Sequence, residues 1–167
     1  PSDYDNWRQR GCEGWDWDNV LPYFKKAENQ ERGADEFHGT GGPLNVSNPV
    51  RSPLGDAMVQ AAIEAGVPAN PDFNGARQEG VGYYQTTTSN RRRWSAARAY
   101  LYPNRQRKNL TIATNAHACR VLIENGRAVG VEYHTPQGRR TARARREVIV
   151  SGGVYGSPQL LQLSGLG

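Results

Sequence analysis

The stretch Glu147-Val-Ile-Val-Ser-Gly-Gly-Val-Tyr-Gly-Ser-Pro158-Gln-Leu-Leu161 is the one on which the fold assignment turns. An apolar strand signal, Val148-Ile149-Val150, runs into the glycine turn Ser151-Gly152-Gly153. Ser157-Pro158 then opens a helix predicted over Gln159–Leu163, because Ser caps a helix start and Pro is tolerated in the first turn. Glycines let backbone approach a ligand closely, and a helix start presents unpaired N–H groups at its positive dipole end. The unit therefore suits an anion or the edge of a cofactor. Gly152, Gly153 and Gly156 do not make the G-x-G-x-x-G spacing, so a tight structural turn explains the spacing equally well.

Upstream of that turn, Ala118–Glu124 and Ala128–His134 flank Asn125-Gly126, a dipeptide that favours a two-residue hairpin. Pro136–Gly138 marks a second turn, and Arg139–Val150 is predicted as a third strand. The region reads as a three-stranded antiparallel meander, preceded by a predicted strand at Leu110–Thr114. Further upstream, Ser95 caps a predicted helix Ala96–Leu101 that stops before Pro103. Val81–Thr88 is predicted as a strand, and Asn74-Gly75 marks a turn in the loop Pro68–Gly80. Ser52-Pro53 opens a helix that Gly66 closes, and Leu44–Ser47 is a short strand in a Gly/Pro-rich loop. Two short helices open the chain. One is predicted over Asp5–Arg10, and the next is capped by Asp16 or Asp18 with Pro22 near its first turn. Trp7, Trp15 and Trp17 are expected to anchor these helices.

The 167 residues suffice for one domain or two small ones. Charged residues are 22% and hydrophobic ones 37%, which excludes disorder as a description of the whole chain. No apolar run approaches the ~18 residues of a membrane-spanning helix. The chain opens on Pro1 rather than Met, so it is expected to be processed or part of a longer polypeptide. Cys12 and Cys119 form no CxxC pair and no two histidines are closely spaced, which disfavours a zinc site. Isolated thiols fit either burial or a reducing compartment, and the expected location is cytoplasmic.

The net charge of +5 hides a division: residues 1–75 carry a net −6 and residues 76–167 a net +11. Arg91-Arg92-Arg93-Trp94, with Arg98, Arg105, Arg107 and Lys108, interleaves with Tyr83, Tyr84, Tyr100 and Tyr102. Cationic charge beside stacking surfaces can bind single-stranded nucleic acid, so a basic module over residues 91–108 is the alternative functional reading. A solvated loop and helix face explains it as well, and no nucleic-acid motif accompanies it. His38, His117 and His134 lie near no G-x-S-x-G elbow. The acidic pairs Asp3/Asp5, Asp16/Asp18 and Asp35/Glu36 fit capping and solvation.

Taken together, the blocks of this sequence resemble the glucose–methanol–choline (GMC) oxidoreductases, most closely the choline-dehydrogenase-like ones. The resemblance is carried by Asp3-Tyr-Asp-Asn-Trp7, Val20-Leu-Pro-Tyr-Phe-Lys-Lys26, His38-Gly39 with Gly42-Pro43-Leu44, and Asp72-Phe-Asn-Gly75. It continues through Ser95-Ala-Ala-Arg-Ala-Tyr-Leu101, Arg127-Ala-Val-Gly-Val-Glu-Tyr133 and the closing run Ser157–Gly167. Departures are Val154 in place of a small residue, Gly153 where Ala is common, and Arg91 where the family has a turn glycine. The resemblance implies a mixed α/β fold: part of a FAD-binding Rossmann-like domain with a three-stranded antiparallel meander, plus part of an α+β substrate domain. Residues 1–33 would be a connecting helical extension, 34–105 a partial substrate domain and 106–167 a partial FAD-binding domain. The implied reaction is oxidation of a primary alcohol to an aldehyde by hydride transfer to FAD. The implied partners are a small-molecule alcohol and the segments of the family that precede and follow these residues. The resemblance places the backbone near Ala118 beside the FAD adenine and the turn Ser151-Gly152-Gly153 near the cofactor. No catalytic residue carries over, because the family's proton-accepting His belongs to its C-terminal third and none of the three histidines here matches it. The chain alone is expected to be inactive.

Overall fold

The computed structural model describes residues 1–167 and divides into two compact units, Pro1–Leu110 and Thr111–Gly167. The first unit opens with α1 (Ser2–Gln9), which begins three residues earlier than the expected Asp5. Gly11, at φ +97°, turns the chain away after it. The second helix, α2 (Trp17–Ala27), starts at Asp16, whose carboxylate accepts the Asn19 amide at 3.2 Å. Pro22 lies well inside α2, on an exposed face, and not near its first turn. Tyr4 packs edge-on to Trp7 and Phe24 at 5.3 and 5.7 Å, tying α1 to α2. The tryptophans hold the two helices together, but Trp7 and Trp15 stay about half exposed.

The polar tripeptide Glu28–Gln30 follows α2 directly as strand β1 and pairs in parallel with β2 (Leu44–Val46). Nothing apolar marks β1 in the sequence. Its register is held by the side-chain amides of Asn29 and Asn45, bonded at 2.9 Å. Parallel strands need a crossover, and here residues 31–43 supply it without a helix. Two glycines make that route possible. A side chain on Gly39 would strike the Lys25 carbonyl, and one on Gly42 would strike the Ala27 and Glu28 backbones.

Helix α3 (Pro53–Glu64) forms as expected. Ser52 Oγ accepts the Gly55 amide at 3.1 Å, and Gly66 leaves at φ +94°. The expected strand Val81–Thr88 is largely absent. Isolated bridges join Ala69 to Val81 and Ser47 to Thr86, and a ladder starts only at β3 (Thr88–Ser89) with β4 (Arg92–Arg93). Gly80 and Gly82 sit against the Asn70 backbone and side chain, so the chain touches neighbours singly and runs alongside none of them. Between β3 and β4, Asn90 and Arg91 both have positive φ, +49° and +60°, the conformation of a two-residue hairpin turn. A π-helical segment, Ala97–Leu101, then runs into α4 (Tyr102–Asn104). The predicted stop before Pro103 does not occur: the π-helical turn runs straight on into α4, which takes Pro103 as its second residue.

The second unit is the antiparallel meander β5 (His117–Glu124), β6 (Arg127–Thr135) and β7 (Gly138–Arg143), followed by α5 (Gly153–Leu163). Asn125 and Gly126 make the first turn at φ +51° and +76°. Bulges fall between Ala118 and Arg120 and between Leu122 and Ile123. Leu110–Thr114 and Val148–Val150, both expected as strands, take no ladder, since no strand runs beside either. α5 begins four residues before Ser157 and takes Pro158 into its interior. It packs on β5, where Ser164 Oγ accepts the Val121 amide at 2.8 Å and donates to the Leu160 carbonyl at 2.6 Å. Val20, Ala99 and Val121 are the buried hydrophobic residues, and no side chain is fully buried.

Gly42→Ala is expected to destabilise the first unit by about 2 kcal/mol or more, because backbone stands where the methyl group must go. Arg91→Gly is expected to stabilise it by about 0.5–1 kcal/mol, the relief of left-handed strain less the entropy glycine adds to the unfolded chain. Urea denaturation of the two variants should move the midpoint in opposite directions.

Candidate functional site

The glycine turn before α5 is exposed backbone that leads straight into the helix. Gly152 occupies the N-cap position with no side chain capping the helix, so the first-turn amides have no protein side-chain acceptor there. Ser157 does not cap a helix start; its Oγ accepts the Gly152 amide at 2.9 Å and closes the turn. Gly153 sits at φ +81°, and a side chain there would meet nothing within 4 Å. Gly152 is held close instead, since a Cβ would lie 3.2 Å from the Gly156 backbone. Ser151, Gly152 and Gly153 are exposed, as are Val154 and Tyr155 beyond them, at 80% and 88%. The result is a bare, positively polarised backbone edge next to exposed apolar surface.

Ala118 lies on β5 opposite Tyr133 and is exposed. Next to it, His117 pairs directly with His134. Those two histidines, with Asn115, Ala116, Thr135 and Pro136, line an open cleft of about 560 Å³. Neither contacts an acid in the manner of a catalytic pair.

The third histidine is different. His38 is 5% exposed. Its Nδ1 lies 3.1 Å from both oxygens of Glu28, and its Nε2 lies 2.9 Å from Asp72 Oδ2. Glu28 Oε2 also accepts the Gly39 amide at 3.0 Å. Burial pulls the imidazole pKa down. The hydrogen bonds to Asp72 and Glu28 and the charges of both carboxylates outweigh it, and the pKa is raised. With both nitrogens engaged, His38 is not free to take a proton from a substrate. Asp35, His38 and Asp72 bring donor atoms within 4.8 Å of one another. Asp35 Oδ1, however, is spent on the Phe37 and His38 amides at 2.7 Å each. Sequence reasoning missed the Glu28–His38–Asp72 triad because His38 and Asp72 are 34 residues apart. The signal available was His38-Gly39 and Asp72-Phe-Asn-Gly75 falling in two glycine-bearing loops.

The aromatic residues interleaved with the basic stretch 91–108 are only partly engaged by the fold. Trp94 Nε1 donates to the Pro43 carbonyl at 2.8 Å, Tyr84 stacks on Phe73 at 4.2 Å, and Tyr83 Oη donates to Asp56 at 3.0 Å. Tyr100 and Tyr102 remain exposed. Cys12 is exposed and Cys119 half-buried, so burial does not account for Cys12. No helix is long and apolar enough to cross a membrane.

The fold as a whole has counterparts among known proteins. The profile of the GMC oxidoreductases matches residues 1–167, and the chain belongs to that family. It is 48% identical over 166 residues to the mitochondrial choline dehydrogenase of Mus musculus, covering 99% of this chain and 28% of that protein. Its identity to the oxygen-dependent choline dehydrogenase of Sinorhizobium fredii is 46% over 166 residues, covering 99% and 30%. Among solved structures, pyridoxine 4-oxidase from Mesorbium loti superposes with a TM-score of 0.87 at 35% identity, over 99% of this chain and 33% of that one. A FAD-dependent oxidoreductase from Chaetomium thermophilum gives 0.86 at 28% identity, over 98% and 31%. The chain thus spans less than a third of the curated relatives it matches.

The two glycines of α5 should respond oppositely to substitution. Gly153→Ala is expected to cost about 1–2 kcal/mol, because an L side chain is strained at positive φ. Gly156→Ala, in open space within the helix, should stabilise by about 0.5–1 kcal/mol. Thermal melts followed by circular dichroism at the helical band would separate them.

Proposed function

We propose that these residues are an internal part of a FAD-dependent alcohol oxidoreductase of the choline-dehydrogenase type, which oxidises a primary alcohol to an aldehyde. The observation that carries the reading is the family match along all 167 residues, together with identities of 46–48% to choline dehydrogenases. In this reading residues 1–33 are the connecting extension, 34–105 part of the substrate domain and 106–167 part of the FAD domain.

The residues present fit one edge of a dinucleotide cofactor. At Gly152 and Gly153 the backbone carries no side chain, and the α5 amides behind it are uncapped and suited to a partial negative charge. Ser151, Gly152 and Gly153 would lie along FAD there, and the β5 backbone at Ala118 would lie beside its adenine. When bound, FAD would supply the hydride acceptor for the carbinol carbon. Nothing in this chain is assigned the substrate proton. His38 is held by two carboxylates, and His117 and His134 face an open cleft without an acidic partner. The chain's own work is to hold and orient. The basic nucleic-acid reading is not favoured, since no nucleic-acid motif accompanies the charges and Trp94 and Tyr83 are engaged within the unit.

The test is made on the polypeptide carrying these residues with its native flanking sequence. It should purify with an oxidised-flavin absorbance that choline or another primary alcohol bleaches anaerobically. Gly152→Val should lower the flavin content about ten-fold, the equivalent of roughly 1.4 kcal/mol of binding. A colourless, fully folded preparation would overturn the reading. The 167-residue chain alone should turn over no alcohol.

A further inference from the structure

The triad of Glu28, His38 and Asp72 in the first unit, buried at His38 and half-buried at the two carboxylates, takes no part in the cofactor geometry. His38 stands between two carboxylates on two different segments: Glu28 on β1, and Asp72 in the loop between α3 and β3. A neutral imidazole has one N–H and one lone pair. Placed here, whichever nitrogen lacked its proton would point a lone pair at carboxylate oxygens 2.9–3.1 Å away. The imidazolium alone satisfies both sides. The neighbouring amides agree with it. Gln30 Nε2 lies 3.3 Å from His38 Nδ1, but its own hydrogens have acceptors in Gln85 Oε1 at 3.0 Å and Glu28 Oε1 at 3.3 Å.

The loop that brings Asp72 is itself organised around a buried residue. Asn70 donates to the Arg77 and Glu79 carbonyls at 2.9 and 3.0 Å and accepts the Asp72 amide at 2.8 Å. Other charged groups around the triad are few. Lys25 donates to the Asp35 and Glu36 carbonyls, Arg32 donates to the Pro71 carbonyl at 2.6 Å, and the Asp35 carboxylate lies within 4.8 Å. Of these groups His38 is the one cation bonded directly to Glu28 and Asp72.

We propose that His38 is a charged clamp whose proton fastens the 70–80 loop to β1, so that loss of that proton at alkaline pH releases the loop. This conformational device stands apart from the cofactor reading and does not depend on it. The sign follows from linkage. A group titrating higher in the folded than in the unfolded state contributes stability that is complete below the unfolded pKa. That stability is lost as pH rises through the folded one.

The direct measurement is the nitrogen-15 spectrum of the imidazole in the 167-residue chain carrying His117→Gln and His134→Gln, which leaves His38 as the sole histidine. Both ring nitrogens should keep imidazolium shifts at a pH where the urea-unfolded chain shows neutral imidazole. Hydrogen exchange at 72–79 should quicken as pH passes the folded midpoint, after correction for intrinsic exchange. Asp72→Asn should lower that midpoint and speed exchange there about ten-fold, the factor matching loss of a charged hydrogen bond. Glu28→Gln serves the same purpose if Asp72→Asn does not fold. Three results would each overturn the clamp: a neutral tautomer in the folded chain at that pH, a midpoint no higher than in urea, or stoichiometric displacement of the imidazole signals by Zn²⁺.

Discussion

In residues 1–110 the structure depends on a backbone that lies flat against another backbone. Residues 38–43 cross the junction of α2 and β1 so closely that glycine is required at both ends of the crossing. Gln30 N donates to the Gly39 carbonyl and Gly42 N to the Glu28 carbonyl, both at 2.9 Å. That contact delivers Leu44–Val46 to β1 in parallel and puts His38 within reach of Glu28. The Asn29–Asn45 bond, the short parallel pair and the His38 triad are all consequences of one close approach. A small unit with little apolar core is here specified largely by polar contacts, each of which is directional and intolerant of displacement.

The second unit rests on a different logic. A hairpin with its preferred turn residues generates the meander locally, and one helix lies against β5. The bulges within β5 and β6 lie on either side of Val121, whose amide is taken by Ser164. The glycine turn that begins α5 is left bare, and that bareness makes it a candidate for ligand contact.

Elements whose causes are local were legible in the sequence. Asn125-Gly126 prescribes its own turn, and Ser52-Pro53 its own helix start. Arg91, a position where the resemblance leads one to expect a turn glycine, occupies a left-handed position. Elements whose causes are distant were not legible. Glu28-Asn-Gln30 has no strand signal and becomes a strand because Leu44–Val46 arrives beside it. Val148-Ile149-Val150 has every strand signal and forms no ladder for want of a neighbour. Pro22, Pro103 and Pro158 all sit within helices that the sequence would have started or stopped around them. His38 read as a lone loop histidine because its second partner is brought in by folding. The turn at Ser151–Gly153 was legible as a shape, and its assignment to a cofactor edge rests on the bare backbone together with the family resemblance.

The two borders of the three-stranded sheet are treated unequally. Along β5 the serine hydroxyl of the last helix occupies a backbone donor that would otherwise face outward. Along β7 the border is studded with guanidinium groups: Arg139 and Arg143 are partnered by Glu132 and Glu124, and Arg140 stands without a salt bridge. Positive charge on a free border repels a like strand. A second copy's strand arriving along that side therefore meets unfavourable charge, which opposes growth of the sheet there.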